Sequence, residues 1–499
     1  MSISPSNPNE KRFSNAVVAL CFLIVFPLVI WILLRLFDFN GLYGQDAYEY
    51  LRYADALVDW MKKGNPPGDY FWPVNYPFFG ALGGYLTGNT LACLQFISVF
   101  SLTATAFVVY RVLGDFRERN SDKNILFLYC FCCCLMAPFL LRSAMLVMSD
   151  SVAILGVVCF YYGYFRYERT KKAKWLLLLS AAAGAAVMTR YALAIFLVLP
   201  AFHLLVLVFK NRHWYLLFPA IVLAALFLIP HGWIRYEEPF AFLGHNYLGE
   251  WSWQHWFQRV FNRQDGQVAY RLPNLLYAFS YVYHPGFFLL GAVILPFVKW
   301  SDWKPMVQRI TLFSVLLYTF FIAGIGFQNQ RFLLPLLPLV LILFYPAFLR
   351  SWHWLQTKIR LQRKWFFVGL VSLQLVLFVY SFNTVWLMNR VEKTIATSLQ
   401  AYPADHLYCF YLDPALESYQ VPQKLINLWK EPITRYKIQS YILFHPTRFS
   451  HQWEGHTLME NWAYLRKNYH LEELESFPDG WVLYQIKNQE SKKRNAPDH

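Results

Sequence analysis

Apolar residues along this chain come in runs of bilayer-spanning length, separated by short polar stretches. Runs near 16–37, 90–110, 125–141, 151–166, 175–188, 192–209, 214–230, 284–299, 310–326, 332–349 and 365–383 predict about eleven transmembrane helices. The first follows Lys11 and Arg12, is long and lacks a small-residue cleavage site, so it reads as a retained helix. A different period follows it in the stretch 41–80. From Asp46 on, Ala47, Tyr50, Leu51, Ala54, Leu57, Val58 and Met61 share one helical face, and Glu49, Arg52, Asp59, Lys62 and Lys63 the other. This predicts an amphipathic helix in the membrane interface, its apolar side in lipid, with Asp46 as a candidate N-cap. Beyond about 384 the apolar runs shorten. HLYCFYL and SYILFHP read as strands, HTLMENWAYLRKNY as a helix, and LEELESFPDGWVLYQIK as a hairpin around Pro478, Asp479 and Gly480. The expected organisation is a transmembrane domain over 1–383, with a first outer loop at 38–89, and a small α/β domain over 384–499.

With 57% hydrophobic and 15% charged residues, the composition excludes a soluble enzyme of this size. The net charge of +15 matters through its placement. Lys11/Arg12, Arg111/Arg117/Arg119/Lys123, Arg166/Arg169/Lys171/Lys172/Lys174, Lys210/Arg212, Lys299/Lys304/Arg309 and Arg350/Lys358/Arg360/Arg363/Lys364 all fall on one side of the spans. That side is read as cytoplasmic, so the basic excess orients the chain in a plasma (inner) membrane and implies no nucleic-acid partner. The N-terminus is then cytoplasmic, and an odd number of spans puts the C-terminal domain outside. The cytoplasmic loops carry no glycine-rich phosphate cradle and no Asp-x-Asp pair, hence no visible site for a nucleotide-sugar. Cys130, Cys132, Cys133 and Cys134 sit in an apolar span without a neighbouring histidine, as helix-packing residues do, and Cys409 is alone in the tail.

Polar residues kept at the outer ends of spans are costly unless they pair or serve a site. Asp46, Arg142, Asp150, Arg190, His231, Arg235, Arg271, His284 and Arg331 all fall at that level. A carboxylate there can take a proton from a hydroxyl, and a guanidinium can stabilise a phosphate leaving group. The segment 245–257 sets Trp251, Trp253 and Trp256 beside His245 and His255. Interfacial anchoring explains the rings, a platform for a sugar ring or lipid chain is the alternative, and the two histidines amount to half a metal site.

These residues resemble the GT-C superfamily of polyprenyl-phosphate-sugar-dependent glycosyltransferases, near its protein mannosyltransferase, aminoarabinose transferase and lipid A galacturonosyltransferase branches. The likeness covers nearly the whole chain. It rests on the first-loop acid in GQDAYEYLRYA, on WPVNYPFFG, on the second-loop acid in MSDSVAILGVV, on LLLSAAAGAAVMTRYALAIFLVLP, on YHPGFF and on QNQRFLLPLLP. The resemblance implies an all-α polytopic GT-C fold with interfacial helices in the first outer loop and a C-terminal extracytoplasmic α/β domain. It implies Asp46 as general base of an inverting transfer, Asp150 as a second acid in the cavity, and Arg331 as a phosphate or donor contact. Two departures stand out: the aminoarabinose branch has a lysine before its first-loop prolines and this chain has none, and Ala47 replaces the glutamate of the mannosyltransferases' Asp-Glu pair. Arg190 or Arg271 then supplies the missing charge, with His284 beside them on the donor side. Glu49, Tyr76 and Trp253 are the candidates for acceptor or sugar binding. No cofactor is required by these residues, and a divalent metal stays open.

The expected activity is transfer of one sugar from a polyprenyl phosphate to a hydroxyl of a lipid, glycan or protein acceptor at the outer membrane face. A transporter or flippase for a lipid-linked saccharide is the alternative, and a non-catalytic sugar-binding subunit would not need Asp46. Transporters are commonly marked by internal repeats and midplane polar breaks. This chain shows no repeat, and its polar residues gather at one surface.

Overall fold

The computed structural model describes residues 14–70, 72–115, 123–234, 251–263, 266–360, 362–403 and 405–489. Lys11, Arg12, Arg117, Arg119, Arg235 and His245, named above, lie outside them. Contacts divide the chain into two compact units: Met1–Leu42, Tyr50–Phe257 and Leu272–Asn383 in the first; Tyr43–Glu49, Gln258–Arg271 and Thr384–His499 in the second.

The first unit is a helical membrane assembly. Among the described residues seven helices are long and apolar enough to cross a bilayer: Asn15–Leu36, Thr90–Asp115, Tyr191–Lys210, Trp214–Ile234, Met306–Ala323, Leu336–Ile359 and Arg363–Leu399. Lys123–Leu135 and Pro138–Met145 form a further pair bent by 62°, where Pro138 cannot continue the helix. Asp150–Thr170 and Ala173–Thr189 pack against each other beside them. The expected span at 284–299 is not one helix. It breaks into Pro285–Phe288, Gly291–Ile294 and a 3-10 turn at Leu295–Phe297, because Pro285, Gly291 and Pro296 interrupt the helical ladder. Thr90–Asp115 and Leu336–Ile359 are mostly buried, whereas Asn15–Leu36 and Trp214–Ile234 turn most of their apolar side chains outward, as lipid-facing helices do.

The amphipathic helix forms over Gly44–Lys63. Its apolar face is covered by protein and not by lipid, which corrects the expectation. Tyr50, Leu51, Tyr53, Ala54 and Leu57 are buried; Tyr53 stacks on Tyr70 at 3.9 Å, and Tyr50 meets Tyr76 edge-on at 5.1 Å. The aromatic-proline run and the helix Asn75–Thr87 thus fold back over the face that sequence periodicity exposes.

In the second unit a five-stranded sheet runs in the order Lys424–Asn427, His406–Cys409, Tyr441–Phe444, Val482–Gln489, Tyr469–Ser476. The first three strands are parallel and the last two antiparallel, with Tyr408 opposite Ile442 and Leu443 opposite Leu483. The helix Thr457–Asn468 lays Leu458, Trp462 and Leu465 on the sheet, and Trp462 stacks on Phe444 at 4.0 Å. Each such buried side chain contributes about 1.5–3 kcal/mol. The predicted helix and hairpin form; the strand Lys424–Asn427 and the hairpin of Val260–Arg263 with Gly266–Ala269 were not anticipated.

Candidate functional site

The centre of charge in the first unit is Asp150, the first residue of the helix Asp150–Thr170. The loop that delivers it is stitched from several sides by buried polar groups. Val147 N–H donates to Gly41 O (2.8 Å), and Gln95 Nε2 donates to Phe39 O and Met145 O (3.2 Å each). Ser98 Oγ donates to Met148 O (3.1 Å), and the Tyr50 hydroxyl lies 2.8 Å from Ser149 Oγ. Gly41 has φ +84°, and a Cβ there would lie 2.8 Å from Gln95 Nε2 and 3.0 Å from Met145 O, so only glycine fits.

Asp150 is 0% exposed and holds two guanidinium groups. Arg190 Nη1 pairs with Oδ1, and Arg331 Nε donates to Oδ2 at 2.8 Å. Both arginines sit where helices break. Arg190 is the extended residue between the helix Ala173–Thr189 and the turn Tyr191–Leu193. Arg331 lies in the short helix Gln330–Leu333, where Asn329 accepts from its backbone N–H. Arg190 also lies over the Phe332 ring at 5.6 Å. A lone buried carboxylate would cost several kcal/mol, and two charge-assisted partners offset that cost. The triad carries a net charge of +1, with its carboxylate sealed in and its arginine side chains 18% and 21% exposed. It is built to present positive charge and suits a phosphate. Both carboxylate oxygens of Asp150, expected above as a second acid in the cavity, are thus engaged by arginines.

Next to the triad, Arg142 Nη2 donates to Gln330 Oε1 at 2.7 Å, and its guanidinium lies 5.0 Å from the centre of the Phe139 ring. Gln330 is the last residue of the polar run Gln328-Asn329-Gln330 that precedes Arg331 in the sequence.

The other candidates are placed differently. Tyr76 is fully buried, its hydroxyl lies between Leu94 O (3.1 Å) and Ser98 Oγ (2.8 Å), and its ring meets that of Tyr50 edge-on. His284 caps the turn at Pro285–Phe288, accepting from Gly286 N–H through Nδ1 (3.1 Å) while stacking on Phe139 at 5.1 Å; its visible work is local. Arg271 is exposed in the second unit, after the strand Gly266–Ala269. Asp46 and Glu49 are half-buried in the first helical turns of Gly44–Lys63. Asp46 lies in the first turn, where a carboxylate gains from the helix dipole.

Among the tryptophans, Trp251 donates through Nε1 to Phe321 O (2.9 Å), and Trp256 packs on Phe320 at 5.2 Å. A Cβ on Gly324 would lie 2.1 Å from Trp251 Nε1, so that glycine makes room for the ring. Trp253 is 59% exposed. Trp251→Ala is expected to lose about 1–3 kcal/mol of stability, and Trp253→Ala none. A Michaelis constant raised by Trp253→Ala alone would mark it as a stacking ring; a melting temperature insensitive to Trp251→Ala would refute anchoring. His255 Nδ1 lies 2.8 Å from Gly324 O. Among the described residues no three metal-ligating side chains come together, and Asp150 with its two guanidinium groups does not fit a cation.

No protein-family model matches the sequence, and no curated protein matches it. Its fold does match solved structures. The structure of ArnT from Cupriavidus metallidurans bound to undecaprenyl phosphate superposes with a TM-score of 0.58 at 14% identity, covering 97% of this chain and all of that one. The apo state of the same protein gives 0.57 at 14% identity, over 94% and 98%. This chain shares the fold of that membrane protein. At that identity the likeness to ArnT, an aminoarabinose transferase, is one of fold.

Proposed function

We propose that this protein is an integral-membrane glycosyltransferase that moves a monosaccharide from a polyprenyl-phosphate carrier to an acceptor hydroxyl on the extracytoplasmic side, with inversion. The observation that carries the reading is the sealed Asp150 carboxylate holding Arg190 and Arg331 in a triad of net positive charge. That the fold relative was solved with undecaprenyl phosphate supports the choice of ligand.

In this reading Arg190 and Arg331 recognise the donor phosphate, and Asp150 is their counter-ion. Asp46 takes the proton of the acceptor hydroxyl. The acceptor oxygen then bonds to the anomeric carbon from the face opposite the phosphate while the bond from that carbon to the phosphate oxygen breaks. The electron pair leaves with the polyprenyl phosphate, and the arginines stabilise the charge that develops on it. The acceptor is a lipid, glycan or protein bearing such a hydroxyl.

The test is binding of undecaprenyl phosphate, with undecaprenol as uncharged control, to purified protein in nanodiscs. Arg331→Lys keeps the charge and loses the planar fork. Arg331→Ala should weaken undecaprenyl phosphate binding by about 10- to 100-fold, as loss of a charge-assisted hydrogen bond does, with Arg331→Lys between it and wild type and undecaprenol binding unchanged. Unaltered phosphate-lipid affinity in folded Arg331→Ala would remove the triad from the site.

A further inference from the structure

The segment Tyr43–Glu49, which carries Asp46, belongs to the same compact unit as Thr384–His499. Tyr43 packs on that unit's apolar core. Tyr48 is 3% exposed and its hydroxyl donates to Glu392 Oε2, itself on a residue only 2% exposed. The Tyr48 ring also meets Tyr419 edge-on at 6.3 Å. Glu392 lies on the late turns of the helix Arg363–Leu399, among Met388, Val391, Ile395 and Leu399, all core residues. That helix has 37 residues, about 55 Å at 1.5 Å per residue, longer than a bilayer core of about 30 Å.

A glutamate is a poor choice for that position if packing is all it does. Burying a carboxylate costs several kcal/mol, and an apolar side chain of similar volume is often as stable or better. What the carboxylate supplies is direction. Residues two apart in a helix point to nearly opposite faces. Fixing the Tyr48 hydroxyl therefore sets the rotation of the first turn, and with it the heading of Asp46 on the other face. Burial, then the nearby Glu392 carboxylate, raise Tyr48 well above the usual phenol range, so the hydroxyl keeps its proton.

We infer that Glu392 is a positioning residue for Asp46, acting through the hydroxyl of Tyr48. The inference rests on the reading of Asp46 as general base. Small displacements of a reacting group are expensive, a misplacement of about 1 Å costing about a hundredfold in rate.

The test uses the full-length protein in nanodiscs and measures kcat and KM with a polyprenyl-phosphate sugar. Glu392→Met fills the same volume without the acceptor but leaves the buried Tyr48 hydroxyl unpaired, which costs stability. The double variant Tyr48→Phe/Glu392→Met, which leaves neither group stranded, is therefore measured beside it. Both Glu392→Met and Tyr48→Phe should lower kcat by about 10- to 100-fold and leave the donor KM unchanged. Glu392→Gln, whose Oε1 still accepts from Tyr48, should recover kcat to within about threefold of wild type. On an Asp46→Asn background, Glu392→Met should lower the residual rate no further, whereas a merely structural role would act there equally. Wild-type kcat in folded Glu392→Met, with Asp46→Asn inactive, overturns this inference alone. Full activity of Asp46→Asn overturns the reading beneath it.

Discussion

An Asp46→Asn protein is expected to keep its fold and its hold on undecaprenyl phosphate, and to turn over about a hundred- to ten-thousand-fold more slowly. Asn preserves the shape of the side chain in the first turn of Gly44–Lys63. What the helix loses is a favourable charge near its N-terminus, about 0.3–1 kcal/mol. The stability effect is thus small and the kinetic effect large, so the two separate in one purified protein. Initial rates with a lipid-linked sugar, read beside a melting curve and a lipid-binding curve, decide the matter. Wild-type turnover in folded Asp46→Asn would leave the residue only a role at the helix start.

The second large effect is on stability. Asp150→Ala should lower it by about 3–5 kcal/mol, because it strands two guanidinium groups that now share a sealed carboxylate. The loss should shrink when one cation is removed as well, as in Asp150→Leu combined with Arg190→Met, since the two changes share one ion cluster and do not add. A reacting acid predicts the opposite pattern: Asp150→Asn folded, inactive and unchanged in melting temperature. Thermal melting of the single and double variants in the same nanodiscs distinguishes them. A melting temperature unmoved by Asp150→Ala would return Asp150 to the reacting groups.

The arginine pair shows how far the sequence could be read. Asp150, Arg190 and Arg331 each follow or open an apolar run, which marked all three as groups too costly to keep without a purpose. Arg190 and Arg271 were equivalent candidates for the missing donor-side charge. Only the fold brings Arg190 onto Asp150 and leaves Arg271 exposed in the other unit. Glu392 was passed over, although a signal was present: it falls on the helical face of Met388, Ile395 and Leu399, where an acid is out of place.

By itself the sequence determined that this is a polytopic membrane protein, that an amphipathic helix follows the first span, and that a mixed α/β segment closes the chain. Hydrophobic run length and period are local properties, and burial in lipid or core reads them directly. The tertiary structure alone decided what covers that helix, since 3.6-residue periodicity shows which face is apolar but not whether lipid or Tyr70 meets it. It alone turned Tyr76 inward and broke the expected span at Pro285. It alone brought Arg190 and Arg331 onto Asp150, because such a pairing depends on what lies within about 3 Å of the carboxylate oxygens, and Arg331 is 181 residues away along the chain.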